Sequence, residues 1–533
     1  MSESKKPNRG RPITRRHFME VSAASAAMMM VGHLALPKSS WSADGDILRV
    51  RNYSDILTLD PAYIKSKNED IINGCIQNKL IDIVPGDKWE WQPMAAEYMK
   101  QLDPTHIEFK LKPGIMWSDD FGEMTVEDVR YSFERIADPA NKSPYADDWK
   151  LLEKVEAKDK YTGVIVLKKP FAPIWMTSLT GSSGTIVSKK AVEKVGGKFT
   201  TKPPAFSGPY ILKEWKPKQV TILVPNPDWK GPKAVFKEIH FFPIDDEKTA
   251  EISFEAGDID FTRISVSSLE KFQANPPEGS TVVVKPSLYY AWMGINADNP
   301  KLKDPRVRKA IQMATDVPSI LEAAYFGQAE PATGIIPPGL LGHRSKTIIP
   351  PEADPQGAKK LLAEAGFPNG IDLTLDCLNK TTIMTQAQVI QATLAEAGIR
   401  VKVNVHESGQ FWVLGSEAEM KDKVKNIQLI TNRFSSQPDP FWYTMWFTSE
   451  QVGVWNWERF SSDEFDKLHE AAAIETDNAN RDKMYKRMQD IMEESGSYRF
   501  ITHESAPIIY RNTIIPAMTP EGIPLVRYFK KAG

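Results

Sequence analysis

Cysteine is all but missing from this chain of 533 residues: there are 2, Cys75 and Cys377. Neither stands in a C-x-x-C or other metal-ligand spacing, which speaks against a zinc site, a dithiol redox centre or a multi-bridge disulfide framework. Two buried free thiols are expected, with one disulfide between them as the alternative in an oxidising compartment. Histidine is scarce too, with 8 scattered copies. There is no H-E-x-x-H, no P-loop and no G-x-G-x-x-G opening a helix, so the common metal and nucleotide sites have no carrier. His406-Glu407 and His503-Glu504 read as chance neighbours rather than metal pairs. Gly181-Ser182-Ser183-Gly184 lacks the spacing of a nucleophile elbow and reads as a loop. No internal repeat competes for the fold. No cofactor is called for.

Also absent is a basic domain or stripe. Net charge is −2, and the leading residues bias even that figure, since Lys5, Lys6, Arg9, Arg11, Arg15, Arg16 and Lys38 face only Glu3 and Glu20. The body is therefore acidic, and nucleic acid is not expected as a partner. The leader itself has an order. Thr14-Arg15-Arg16-His17-Phe18-Met19 precedes the uncharged run Val21–Leu36, and small residues follow near Ser40-Trp41-Ser42. This is a basic, then apolar, then cleavable segment. The run is shorter than the roughly 20 apolar residues of a membrane span, and Gly32 and His33 dilute it, so cleavage is expected over anchoring. The arginine pair resembles a bacterial twin-arginine export signal, with Glu20 where lysine is common. No cysteine follows it to carry a lipid.

Over the whole chain, 41% hydrophobic and 26% charged residues describe a soluble globular protein, long enough for two or three lobes. The stretch Pro209–Trp229 organises it. Tyr210–Trp215 alternates, Lys216–Lys218 turns, Val220–Val224 returns as a β-branched strand and Asn226-Pro227 stops it. Upstream, Ile47–Asn52 reads as a strand, Asp60-Pro61 as a turn, and a helix is expected through Ile71–Leu80. Ile107, Phe109 and Leu111 share one face of a strand. Thr125 with Asp128 three positions on predicts a capping box before the stripe Val126, Val129, Phe133. Downstream, Ile239–Phe242, the helix Thr249–Glu255 and the step Gly257-Asp258-Ile259-Asp260 follow, then the aromatic strand Tyr289–Asn296. Arg306, Arg308 and Lys309 are read as the solvated face of a helix. Leu373–Leu375, Thr385–Ala397 and Val401–Val405 form β-α-β, implying a parallel α/β sheet. Pro507–Tyr510 reads as a strand returning to the first lobe.

In that order these blocks resemble the large periplasmic solute-binding proteins for oligopeptides, dipeptides and nickel that serve ABC importers. The carriers are Leu57-Thr58-Leu59-Asp60-Pro61, Phe109-Lys110-Leu111-Lys112-Pro113-Gly114 with Thr125–Val129, Gly208-Pro209-Tyr210 with Asn226-Pro227-Asp228-Trp229, and Asp304–Asp316. The resemblance implies an α/β, two-lobed periplasmic-binding-protein fold with hinge strands and an extra small α+β subdomain in the first lobe. The corresponding division is leader 1–42, first lobe 43–83, subdomain 84–204, first lobe 205–290, second lobe 291–505 and first lobe 506–533.

It also implies a cleft between lobes. The blocks that face it give the candidate ligand-binding residues Tyr63, Lys65, Ser66, Tyr290, Trp292, Arg433, Phe434, Ser435, Ser436, Asp439, Trp442, Trp455, Asn456 and Trp457. Aromatics are dense between Phe434 and Trp457; rings supply wide apolar walls with few rotamers to freeze, and half of them are expected to be core. Asp439-Pro440 resembles the acid-proline step of the family's A-D-Y-x-D-P motif. In peptide-binding members an acid three residues earlier pairs with the peptide ammonium, and here that place is Ser436. A hydroxyl cannot offset a buried ammonium as a carboxylate does, whereas Arg433 can fork onto a carboxylate or phosphate.

The expected role is a monomeric periplasmic receptor, not an enzyme, that captures a peptide or peptide-like solute and hands it to a membrane permease. The alternatives are a non-peptide ligand (opine-like conjugate, oligosaccharide or metal chelate), a twin-arginine-exported enzyme, or a chaperone-like binder of unfolded segments.

Overall fold

The computed structural model describes Asp46–Gly533 with the exception of Lys65. The leader, its export-signal reading and the candidate Lys65 lie outside the described residues.

Alternating and β-branched segments build one sheet of 10 strands. Its order is Tyr210–Lys216, Val220–Pro225, Glu238–Pro243, Ile47–Asn52, Phe261–Arg263, Tyr498–Arg511, Ser280–Ile295, Leu429–Ser435, Ile371–Leu378, Ile399–His406. The hairpin expected around Lys216–Lys218 is present, with Lys218 in the left-handed region at φ 60. Ile47–Asn52 runs parallel to Glu238–Pro243, and Ile371–Leu378 runs parallel to Ile399–His406 across the helix Thr381–Glu396. That second unit is the β-α-β read from the sequence. A short hairpin cannot join parallel strands, so the helix makes the crossover and covers the sheet.

Two long strands cross from one half of the sheet to the other: Ser280–Ile295, of 16 residues, and Tyr498–Arg511, of 14. They pair from Ser280 with Arg511 to Pro286 with Ser505, and again from Tyr290 with His503 to Gly294 with Tyr498. Between these runs Ser287–Tyr289 stand against Glu504 alone. On one side of the break Tyr498–Arg511 pairs with Phe261–Arg263; on the other Ser280–Ile295 pairs with Leu429–Ser435. The apolar cores divide the same way. Leu48, Val50, Phe241 and Ile508 belong to one cluster, and Ile295, Ile311, Leu375 and Leu429 to another.

A separate sheet of 4 strands, Ala96–Asp103, His106–Leu111, Thr162–Leu167 and Leu152–Ala157, carries the helix Val126–Ala137. The helix begins with the expected box between Thr125 and Asp128, and its Phe133 stacks on Trp149 at 4.1 Å. Gly163 lies so close to Phe109 on the neighbouring strand and to Val126 at the helix start that a Cβ would meet them at 2.6 and 2.9 Å; only glycine lets helix and sheet approach here.

Two expectations differ. The first helix spans Lys67–Ile76 and does not reach Leu80. Gln77 and Asn78 leave the helix because their amides donate to Ala205 O at 2.9 Å and Ser207 O at 2.6 Å, and Asn78–Lys79 then pairs with Thr185–Ile186. Arg306 and Lys309 are exposed as read, but Arg308 is half-buried and donates to the carbonyls of Ser495 and Leu302.

Cys75 and Cys377 are both buried and unpaired. Burial pushes the Cys75 thiol up to about 12 and the Cys377 thiol up to about 11, far from the thiolate that reacts. Titration with a disulfide reagent is therefore expected to label neither in the native protein and both in denaturant. Labelling of fewer than two in denaturant without reductant would reveal a bridge.

Candidate functional site

The strand Leu429–Ser435 ends where the crossing strands break register. Phe434 sits opposite Tyr290 and Arg433 opposite Ala291. Beyond it the chain folds into short turns, Phe441–Thr444 and Met445–Phe447, that bring tryptophans back over the strand end. The result is a cavity of about 390 Å³. Trp412, Phe434, Trp446 and Trp455 wall it; Tyr289, Arg433, Ser435, Leu378 and Lys380 complete its lining.

Phe434 is the hub of the wall. It stacks on Trp412 at 5.8 Å and meets Trp446 and Trp455 edge-on at 6.4 and 6.0 Å. Trp446 and Trp455 touch at 5.9 Å. Behind it Phe434 packs edge-on against Trp292 at 5.1 Å. Offset and edge-on pairs of this kind add roughly 0.5–1.5 kcal/mol each beyond area burial, so the wall is stiff before any ligand arrives.

Arg433 is engaged. Its Nε donates to Glu504 Oε1 at 2.5 Å and its Nη2 donates to Oε2, while the guanidinium lies 3.9 Å from the centre of the Tyr289 ring. The fork read from sequence as free for a ligand is thus largely occupied by the one residue, Glu504, that stands opposite the register break. Lys380 lines the cavity at the start of the helix Thr381–Glu396.

The remaining candidates scatter. Tyr290 and Trp292 are 1% and 2% exposed and stack on each other at 5.2 Å, behind the wall rather than on it. Trp457, 4% exposed, belongs to the second half's core and donates to Val454 O. Asn456 is 0% exposed and works as a backbone clamp, its amide donating to the carbonyls of Phe447, Thr448 and Phe460. Asp439 is sealed at 2% exposure against Arg481, whose Nη2 lies 2.9 Å from Oδ1. Trp442 packs against the core of the small subdomain, next to Phe441, whose ring meets Phe171 edge-on at 5.4 Å. Tyr63 packs there as well, with the Lys198 ammonium 3.6 Å from its ring centre. Ser66 caps the helix Lys67–Ile76 and is tied to Glu69. Ser436 is half-buried beside the exposed Ser435. The cavity thus gathers Arg433, Phe434, Ser435 and Trp455 from the candidates and adds Tyr289, Leu378, Lys380, Trp412 and Trp446.

Behind Trp292 lies a buried carboxyl. Trp292 Nε1 donates to Glu458 Oε1 at 2.7 Å, and Glu458 Oε2 has no partner. Burial pushes Glu458 up to about 7, the Trp292 hydrogen bond opposing it in part. His503, beside Glu504, is held down to about 3, chiefly by burial and then by His343. A buried neutral imidazole and a lone carboxyl make no metal site; among the described residues no cluster of three or more His, Cys, Asp or Glu could hold one.

A larger groove of about 650 Å³ lies elsewhere, between the turn at Pro85–Asp87, the loop around Trp229 and the C-terminal segment near Tyr528. Its lining comes from the first half and from Lys285, one residue before the ladder stops at Pro286.

Two α/β halves joined by crossing strands, with an aromatic cavity at the crossing, define a two-lobed solute receptor. The profile of the bacterial extracellular solute-binding proteins, family 5 (middle region), matches residues 90–453; the chain belongs to that family. The glutathione-binding protein GsiB of Shigella flexneri serotype 5b is 27% identical over 412 residues, covering 75% of this chain and 78% of its own. Among solved structures, HbpA2 from Haemophilus parasuis superposes with TM-score 0.82 at 23% identity, covering 91% of this chain and 100% of that one. The ABC transporter-associated periplasmic binding protein DppA from Helicobacter pylori, in complex with the peptide STSA, gives 0.69 at 24%, covering 91% and 97%. These likenesses confirm the two-lobed fold.

Two outcomes follow from the buried charges. Asp439→Asn leaves Arg481 buried without its counter-charge, and a loss of about 3–5 kcal/mol is expected in chemical denaturation; a loss below 1 kcal/mol would return Asp439 to the list of ligand contacts. Glu458 holds its proton in the folded chain to higher pH than in the unfolded one. Its contribution to stability is therefore lost as pH rises from about 4.5 to about 7. Glu458→Gln should remove that falling limb, gaining about 3 kcal/mol on wild type between pH 4.5 and 8. A pH-independent difference between the two proteins would show that the carboxyl ionises normally.

Proposed function

We propose that this chain is the extracytoplasmic receptor of an ABC importer, capturing a peptide or peptide-like solute against the aromatic cavity and delivering it to the membrane permease by closure about the crossing strands. The observation that carries this reading is the position of the cavity. Its walls come from the second half and from Tyr289 at the break, so a swing of the first half about Ser287–Tyr289 and Glu504 would cover a bound solute. Few ladder hydrogen bonds have to be broken where the two strands already lack them. Family membership and the glutathione-binding name of a curated relative support a peptide-like ligand.

The chain's relatives are binding proteins, which supports a carrier over an enzyme. The arginine pair Arg15-Arg16 supports export by the twin-arginine route with cleavage of the leader. Ser436, where peptide-binding members place an acid, supports a solute that is not held by a free N-terminal ammonium: a modified peptide or an amino-acid conjugate.

Native mass spectrometry of protein purified from the periplasm is expected to show one bound small molecule of defined mass, released on denaturation. A ladder of peptides would instead point to ordinary oligopeptide capture. Trp455→Ala, which removes a wall ring packed on the edge of the second half's core, should weaken that solute's affinity about 10-fold or more, the equivalent of about 1.4 kcal/mol, with the melting temperature measured alongside to separate lost contact from lost folding. Unchanged affinity would move the site elsewhere.

A further inference from the structure

We propose that the solute is anchored by a carboxylate at Lys380, lies with a flat apolar group against Trp412, Trp446 and Trp455, and needs no ammonium of its own. This rests on the receptor reading above and narrows its ligand class.

The argument is an inventory of charge around the cavity. No carboxylate is among the described residues that line it, and those around it are held to different degrees. Glu504 takes Nε and Nη2 of Arg433. Asp439 is closed against Arg481. Glu458 lies behind Trp292 at 2% exposure. In the corner next to Lys380, Glu407 accepts from Asn379 Nδ2 at 2.6 Å, and Asp376 accepts from Asn404 Nδ2 at 3.2 Å and pairs with His406 Nε2 at 2.7 Å. Lys380 lines the cavity and is exposed, and among the described residues its ammonium has no carboxylate within ion-pair distance.

A ligand ammonium entering this space would be stripped of water beside the Lys380 ammonium and an Arg433 already paired with Glu504, a cost that no carboxylate on the cavity lining offsets. A carboxylate would gain a charge-assisted hydrogen bond from Lys380. The Nη1 group of Arg433, which Glu504 leaves free, is a second donor on the same lining. One free ammonium beside a guanidinium whose charge Glu504 already balances matches a single negative charge better than a phosphate dianion. The helix that begins at Lys380 has no side-chain cap, so its end adds positive potential of the same sign. Opposite these cations the tryptophan faces offer area for a planar or apolar group.

Two probes of matched shape separate the alternatives. N-acetyl-Phe-Phe has a carboxylate and no ammonium; Phe-Phe amide has an ammonium and no carboxylate. In calorimetric titration of the full mature chain, the acetylated acid is expected to bind at least about 10-fold tighter than the amide. Lys380→Gln should abolish that preference without moving the melting temperature, and Lys380→Arg should retain it. Equal or tighter binding of the amide, an unchanged preference in Lys380→Gln, or binding of neither probe would overturn the proposal. None of these results would touch the receptor reading, which stands or falls on the co-purified solute found by native mass spectrometry.

Discussion

Everything in this molecule is referred to the pairing of two strands. Ser280–Ile295 and Tyr498–Arg511 carry the hydrogen-bonded continuity between the halves, and each half docks its own strands on a different stretch of the pair. Had the ladder run without interruption, the sheet would be one stiff plate, because bending it would cost several buried hydrogen bonds at once. The break places three residues against one at the boundary between the two cores. It also frees Glu504 from ladder symmetry, so that its carboxylate reaches across Ser280–Ile295 to Arg433 on the strand beyond. Hinge and site therefore meet: of the residues at which the ladder fails, Tyr289 lines the cavity and Glu504 holds the Arg433 that lines it.

The charges nearby sort by how they are neutralised. Asp439 and Arg481 are both nearly inaccessible and matched, an arrangement that stabilises little in net terms but is costly to break. The acid-proline step therefore has a structural duty that does not depend on the neutral Ser436 before it. Asp439 belongs to the scaffold, and Ser436 to the rim. Glu458 is neutralised by a proton instead of a partner, since burial alone lifts it to about 7. Two acids that look alike in sequence thus have different duties.

The fold was readable because it rests on periodicity and on local chemistry. Alternation marked Ile107, Phe109 and Leu111; Thr125 and Asp128 announced a helix start; the glycine after Ala256 marked a helix end at φ 84. Where the reading failed, tertiary contacts had overruled local pattern, as when Gln77 and Asn78 gave their amides to distant carbonyls and ended a helix early. The site was less legible. Aromatic density pointed to the right segment, yet the ring that faces the cavity and the ring behind it carry the same letters: Trp455 lines it while Trp457, two residues on, is core. Arg433 was visible as a cation, but its partner lies 71 residues away. Lys380 and Trp412 come from a loop–helix start and a short turn that no motif marks.

Phe434 shows why such a wall suits a receptor. Its front faces the cavity and its back packs on Trp292, which in turn holds Glu458. Any change to the wall's shape must therefore be absorbed by a core already packed to capacity, where overpacking and cavities both cost stability. The rim has no such constraint. Lys380, Ser435 and Ser436 touch solvent and can be exchanged with little effect on folding. Selectivity is then free to change by altering the charge at the rim while the aromatic floor stays fixed, which is how one scaffold can serve solutes that share a flat apolar group and differ in what they present beside it.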